Sequence, residues 1–204
     1  AWIQHFASHL APDGRAGFVL ANGSLTSQQS GEGAIREALV RDDLVDCVVA
    51  LPAQLFYTTG IPVCLWFLDR SKSSAGERDR RGETLFIDAR SMGAKISRTQ
   101  IELGDEEIGQ VVGVYSAWRG QEDAGAQYAD ELGFCASATL ADIDANAFTL
   151  SPGRYVGAPE EEEDEVAFEE RMAELVEQFE ADMTENERLA GKVREALARV
   201  GYGE

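Results

Sequence analysis

The chain has 204 residues, 44% of them apolar, which is enough for one ordinary domain with a real core and an appendage. A formal charge of −19 looks hostile to nucleic acid, and no run of about 18 apolar residues marks a membrane span. The three cysteines, Cys47, Cys64 and Cys135, are odd in number and lack zinc-ligand spacing, so they indicate neither a disulfide framework nor a metal site.

The charge is unevenly spread, and its distribution matters more than its sum. From Gly157 to Glu204 sixteen acids face five bases, whereas from Arg70 to Arg98 eight bases face four acids. One basic island therefore lies between acidic regions. Nothing at the start resembles a signal peptide, so a cytoplasmic location is expected. Residue 1 is alanine, and the first ten residues read as a helix already under way, which is the expectation for a piece of a longer protein.

In chain order, Trp2, Phe6 and Leu10 recur every four residues and predict a helix ending at the Pro12-Asp13-Gly14 turn. Ala16 to Ala21 (AGFVLA) is a continuous apolar run that suits a strand buried on both faces of a parallel sheet. Asn22 to Gly33 reads as a loop. Ala34 to Arg41 reads as a helix with Ile35, Leu39 and Val40 inward, and Leu44 to Leu51 as the next buried strand. Strand, helix, strand predicts a crossover in a doubly wound sheet.

Val63 to Leu68 follows after too few residues for a crossover helix, so it should return antiparallel. Ser71 to Gly82 is polar and suits a mobile loop, and Thr84 to Asp88 is a further strand. Asp105 is the expected N-cap of a helix to about Trp118, with Ile108, Val111, Val112, Tyr115 and Trp118 on one face. Residues 120 to 150 show no strong pattern beyond an approach to a short strand at Asp142 to Leu150. After the acidic block Pro159 to Asp164, an apolar stripe begins with Phe168, Met172, Leu175, Phe179 and Met183 and continues to Val200. It predicts a helix of about 50 Å. Such an arm must lay its stripe on a partner, on itself as a hairpin near Thr184 to Asn186, or on the domain.

Ligands of doubly wound sheets bind outside the carboxyl ends of the parallel strands, and the segments Asn22 to Gly33 and Pro52 to Pro62 both leave those ends. This places Phe56, Tyr57, Thr58, Thr59 and Gly60 beside one crevice. An aromatic next to a glycine and hydroxyls suits stacking on a flat ring, as nucleobase pockets require. Composition alone favours the plainer reading, in which both aromatics cap the core. Arg70, Lys72, Arg78, Arg80 and Arg81 could neutralise phosphates or form a solvated loop with the acids among them. Gly31-Glu32-Gly33 lacks the third glycine of a dinucleotide loop, since Arg36 stands there. His5 and His9 are four apart but have no accompanying carboxylate, so no metal is expected.

The order ANGSL, IREALV, LPAQLFYTTGIPVCLWFLDR, TLFIDAR and FTLSPGRYV resembles the modification subunit of type I restriction-modification systems, from about Ala1 to Val156. These subunits are amino-type DNA adenine methyltransferases that use S-adenosylmethionine. The resemblance implies an α/β fold: the C-terminal half of a Rossmann-like class I methyltransferase sheet, mixed, with its last strands antiparallel. Residues 1 to 156 would belong to the catalytic domain, and 157 to 204 would form an acidic linker and helical arm.

It further implies that Phe56, or failing that Tyr57, stacks on the flipped adenine, with Thr59 and Gly60 beside it. Phe168, Met172, Leu175 and Phe179 would bind the DNA specificity subunit, with a restriction subunit and double-stranded DNA completing the complex. The family's glycine-containing donor loop and Asn-Pro-Pro-Phe tetrapeptide do not occur in these residues, so no methyl transfer is expected from them alone. Two other readings remain: a non-catalytic interaction module, and an unrelated nucleotide-binding α/β enzyme with its ligand at Asn22 to Gly33.

Overall fold

A computed structural model describes residues 2–73, 77–121, 125, 127–157 and 168–199. The chain divides into two compact units, Ala1–Pro159 and Glu160–Glu204. In the first, α1 (Trp2–His9) leads into β1 (Arg15–Ala21), followed by α2 (Glu32–Arg41), β2 (Val45–Ala50) and β3 (Val63–Asp69). Then come β4 (Glu83–Asp88), the short pair β5 (Ala94–Ser97) and β6 (Gln100–Glu102), α3 (Asp105–Arg119), β7 (Cys135–Thr139) and α4 (Leu140–Ala145). The second unit holds α5 (Phe168–Arg199).

Five strands form one mixed sheet in the order β1-β3-β2-β4-β7, and β5 and β6 form a separate pair. β3 is antiparallel to both β1 and β2, β4 is parallel to β2, and β7 is antiparallel to β4. β2 is buried along its whole length because both its sheet faces are covered. Val48, Cys64, Trp66, Leu68 and Phe86 meet Ala7 of α1, Leu39 and Val40 of α2 and Ile143 of α4. On the other face Cys47, Val49, Leu85 and Ile87 meet Trp118 of α3. The fold class is thus α/β with a mixed sheet and a long C-terminal helix.

Several expectations need correction. β1 is not buried on both faces: with β3 between it and β2 it lies at the sheet edge, its burial alternates, and Val19 is 46% exposed. In α1 the inward residue is Ala7, flanked by Ile3 and Leu10, while Trp2 is exposed and Phe6 stacks on Phe18 at 4.6 Å. Gly104, not Asp105, caps α3, and the Glu107 carboxylate accepts from its N–H at 2.9 Å. The segment 140–150 is a helix and a turn rather than a strand, with Ala147 and Phe148 both at φ 52. β7 escapes sequence reading because its residues, CASAT, are too small to show an apolar alternation. α5 runs unbroken, with no hairpin near Thr184.

The Ser71 to Gly82 segment is also not the loose loop expected, since its described residues are pinned by buried charge. Arg80 is fully buried and donates to Asp46 (3.3 Å), Asp69 (3.1 Å) and Glu77 (2.9 Å). Arg15 adds bonds to Asp69 and Glu77, Arg119 adds one to Glu77, and the Tyr115 hydroxyl donates to Asp46 at 2.6 Å. Burial alone would raise the Glu77 carboxyl, but hydrogen bonds from Arg119 and Arg80 and the nearby guanidinium charges outweigh it and hold it below the usual carboxylate value. Lys72, equally buried, donates to Asp43 and to the carbonyls of Val45 and Glu83, tying the segment to the starts of β2 and β4.

Removing one partner of such a buried cluster leaves uncompensated charge behind, at a cost of about 3–5 kcal/mol. Arg80→Met is accordingly expected to lower unfolding free energy by about that amount. Denaturant titration checks this, and a loss within experimental error of zero would mean the cluster does not hold the segment.

Candidate nucleic-acid interface

Because β1, β2 and β4 run the same way, Ala21, Ala50 and Asp88 end at one edge of the sheet. The segments that follow are joined there. The Asn22 N–H donates to the Pro62 carbonyl (3.4 Å), and the Ala89 N–H to the Ala50 carbonyl (2.9 Å). The Asn22 side-chain oxygen is buried with no hydrogen-bond partner among the described residues. Trp66 donates from its ring N–H to Ser24 Oγ at 3.2 Å, and Arg36 donates to the carbonyls of Ser24, Ser27 and Phe148. Arg36, noticed in the sequence only as a failed glycine position, is a buried staple fastening the first of these loops.

The loop from Pro52 to Pro62 closes on itself. Gln54, in the left-handed region at φ 62, donates from its N–H to the Gly60 carbonyl (3.2 Å), and the Thr59 N–H reaches the Phe56 carbonyl (3.4 Å). The Thr59 hydroxyl accepts from the Ile61 N–H at 3.3 Å. Leu55 turns down onto the core, whereas Phe56 is 40% and Tyr57 90% exposed at the tip. Neither aromatic belongs to either core cluster, so the plainer reading of both as core caps does not describe the fold. Gly60 is open, with the nearest side-chain atom 3.9 Å from where a Cβ would stand. A planar group can therefore approach the tip from solvent without displacing protein.

The β5–β6 hairpin, which sequence reading missed, lies against this loop: the Ile101 N–H donates to the Gln54 carbonyl at 2.9 Å. The short strands left too little pattern to detect, but Gly93 was a signal. It sits at φ 95, where a Cβ would stand 2.8 Å from the Glu102 carbonyl oxygen. Further along the same edge, the Asp88 carboxylate accepts from the Arg90 guanidinium, at 2.8 Å from Nε and 2.6 Å from Nη2, and from the Arg90 backbone N–H at 3.2 Å. A cavity of about 530 Å³ there is lined by Asp88, Arg90, Ser91, Gly133 and Gly153. In the run SPGRYV, Tyr155 stacks flat on Phe86 at 3.9 Å and closes the core, while Arg154 is exposed.

The proposed phosphate contacts separate sharply. Lys72 and Arg80 are corrected: both are buried in the ion pairs described above and cannot reach a phosphate without dismantling them. Arg70, Arg78 and Arg81 are exposed but committed, Arg70 to the Ala7 carbonyl, Arg78 to Glu83 and the Trp118 carbonyl, and Arg81 to Asp79. The His5 and His9 rings lie 4.3 Å apart between centroids, tilted by 55°, and no third ligating side chain joins them among the described residues. Cys47, Cys64 and Cys135 are free and buried, and burial pushes the Cys47 thiol well up. On α5, Met172, Leu175 and Phe179 are exposed at 44%, 50% and 64%. The side chain of Phe168 and the block Pro159 to Asp164 lie outside the described residues. Among the described residues no helix is long and apolar enough to cross a membrane.

Comparison with known proteins decides the family. Residues 1–164 match the N-6 DNA methylase family. The chain belongs to that family. It is 42% identical, over 99% of its length, to the type I restriction enzyme HindI methylase subunit of Haemophilus influenzae, of which it covers 43%. It is 41% identical over 98% of its length to the type I restriction enzyme MjaIX methylase subunit of Methanocaldococcus jannaschii, covering 35% of that protein. The chain thus spans about two fifths of the length of these relatives. Among solved structures, a type I restriction-modification methyltransferase subunit from Streptococcus thermophilus matches with a TM-score of 0.63 and 29% identity, over 76% of this chain and 29% of that one.

In this N-6 DNA methylase chain the hairpin's seat depends on Gly93. Gly93→Val forces both a disfavoured φ and a collision, a strain of about 1–3 kcal/mol. The Ile101 amide should then exchange with solvent about tenfold faster or more, while the Val48 amide in β2 is unchanged. Equal exchange at Ile101 would show that Gly93 does not set the hairpin.

Proposed function

We propose that this chain is the target-base-facing part of the modification subunit of a type I restriction-modification system, a DNA adenine methyltransferase. The observation that carries the reading is the self-bonded loop at the carboxyl edge of the sheet, which presents Phe56 and Tyr57 to solvent on a family sequence. The edge order β1-β3-β2, with an antiparallel strand between two parallel ones, supports the C-terminal half of a Rossmann-like methyltransferase sheet. An enzyme acting on chromosomal DNA would work in the cytoplasm.

Members of the family take the methyl group from S-adenosylmethionine. The residues of this chain do not form a donor cradle by themselves. Gly31, at φ 80, caps α2 instead of opening a phosphate or ribose loop, and no Asn-Pro-Pro-Phe tetrapeptide occurs in the sequence. Donor binding and the grip on the adenine amine are assigned to the rest of the protein.

What this chain supplies is the wall opposite. Phe56, half-exposed over Leu55, offers one ring face to an extruded adenine, with Tyr57 as the second candidate and Thr59 and Gly60 shaping the loop. Stacking there would offset part of the cost of unstacking the base from the duplex. α5 carries its exposed stripe as the docking surface for the DNA specificity subunit, the restriction subunit joining in the complete complex. The sequence of the DNA target is set outside this chain.

Base stacking on an aromatic is worth about 1–3 kcal/mol, so Phe56→Ala in the full-length enzyme is expected to lower methylation by about tenfold or more without a matching loss of stability. Tyr57→Ala measured alongside assigns the stacking ring. A variant that keeps full activity with a lowered unfolding temperature would return Phe56 to a packing role. For the arm, replacing Leu175 and Phe179 together by Asp should abolish co-purification with the specificity subunit while the sheet domain stays folded. Survival of the complex would place the dock elsewhere.

A further inference from the structure

We infer that the β5–β6 hairpin is a phosphate clamp for duplex DNA, holding the backbone beside the extruded base through Lys95 and Arg98. The inference rests on the reading of the Phe56 loop as the target-base wall. Its own support is the contrast within the basic island. Arg70, Lys72, Arg78, Arg80, Arg81 and Arg90 are each committed to a carboxylate or carbonyl of the protein. The side chains of Lys95 and Arg98 make no hydrogen bond or ion pair among the described residues, and both residues are exposed.

The hairpin also has the build of a platform. Its four β5 residues are all exposed, so it is not held out there to cover a core. Its foot is nevertheless fixed: Met92 and Leu103 pack on the core, and Gly93 lets the backbone pass close to the Glu102 carbonyl. The Ile101 amide fastens it to Gln54, whose own N–H closes the ring that carries Phe56. A shift of the base loop therefore moves the hairpin with it. Nearby acids sit at the foot rather than the tip. Glu102 pairs across from Ala94, and Glu107 is committed to capping α3, while Asp105 and Glu106 occupy the first turn of that helix.

A duplex with one base turned out toward Phe56 must pass its flanking phosphates close to that loop. The element bonded to the loop that carries unpaired cations, among the described residues, is this hairpin. Two free cations on a seated hairpin beside a base-contacting loop are complementary to a polyphosphate backbone, which every sequence presents alike. The hairpin thus positions DNA without reading it.

The test uses the full-length subunit assembled with its partner subunits, titrated with unmodified duplex DNA fragments over a range of salt. Each phosphate contact contributes about 0.9 to the slope of log affinity against log salt, so Lys95→Gln with Arg98→Gln should reduce that slope by about 1.8. Arg98→Gln alone should remove about half of this, and Lys95→Arg with Arg98→Lys should restore it. KM for DNA rises while kcat and the unfolding temperature stay put, because both side chains are exposed and neither makes a hydrogen bond or ion pair among the described residues. An unchanged slope, with Phe56→Ala lowering methylation in the same assembly, overturns the clamp and leaves the base-wall reading intact. A reduced slope with Phe56→Ala fully active keeps the phosphate contacts and overturns that reading. An unchanged slope with Phe56→Ala fully active overturns both.

Discussion

The short connection between Ala50 and Val63 constrains most of what this fold does. It is too short to carry a helix over the sheet, so β3 has to come straight back, and it does so between β1 and β2. That insertion keeps β1 and β2 parallel, so the segments after them leave the same edge. It also turns the connection itself into a hairpin loop at that edge, folded through Gln54 and Gly60 so that its aromatics face outward. β1 is thereby left at the rim of the sheet with one strand neighbour, its apolar side chains alternately covered and open.

Charge is handled in opposite ways at the two ends of the strands. At the end where β2 and β4 begin, Arg80, Lys72, Arg15 and Arg119 are matched against Asp46, Asp69, Glu77 and Asp43, largely out of water. Matched charges in a low dielectric are rigid because any displacement exposes one of them unpaired. At the carboxyl edge the cations of the β5–β6 hairpin are left in solvent. A basic stretch of sequence thus divides into six cations held by carboxylates or carbonyls of the protein and two on the hairpin without such a partner among the described residues, and the dividing property is what the fold brings next to each rather than composition.

These features support one functional picture. A rigid α/β sheet presents a loop with two exposed aromatics, flanked by a fastened loop on one side and a seated hairpin on the other. The family supplies the chemistry that such a wall would face, and α5 carries an apolar stripe suited to assembly. Catalysis in this picture would need groups from elsewhere in the protein, and the proposed contribution of this chain would be to place the base and the backbone.

The sequence by itself determined the buried strand β2, the antiparallel return of β3, the helices α1, α2 and α3 to within a residue or two, and the long α5. Each rests on local periodicity or on a connection length, which a linear sequence displays directly. The family was legible too, from LFYTTGIP and the runs around it. Only tertiary structure decided that β1 is an edge, because that depends on where β3 inserts. It alone revealed β7, whose small residues pack well but form no pattern, and the hairpin beside Phe56. It also sorted the basic island, since a lysine held by one carboxylate and two carbonyls and a lysine in solvent are spelled alike and differ only in what the rest of the chain brings next to them.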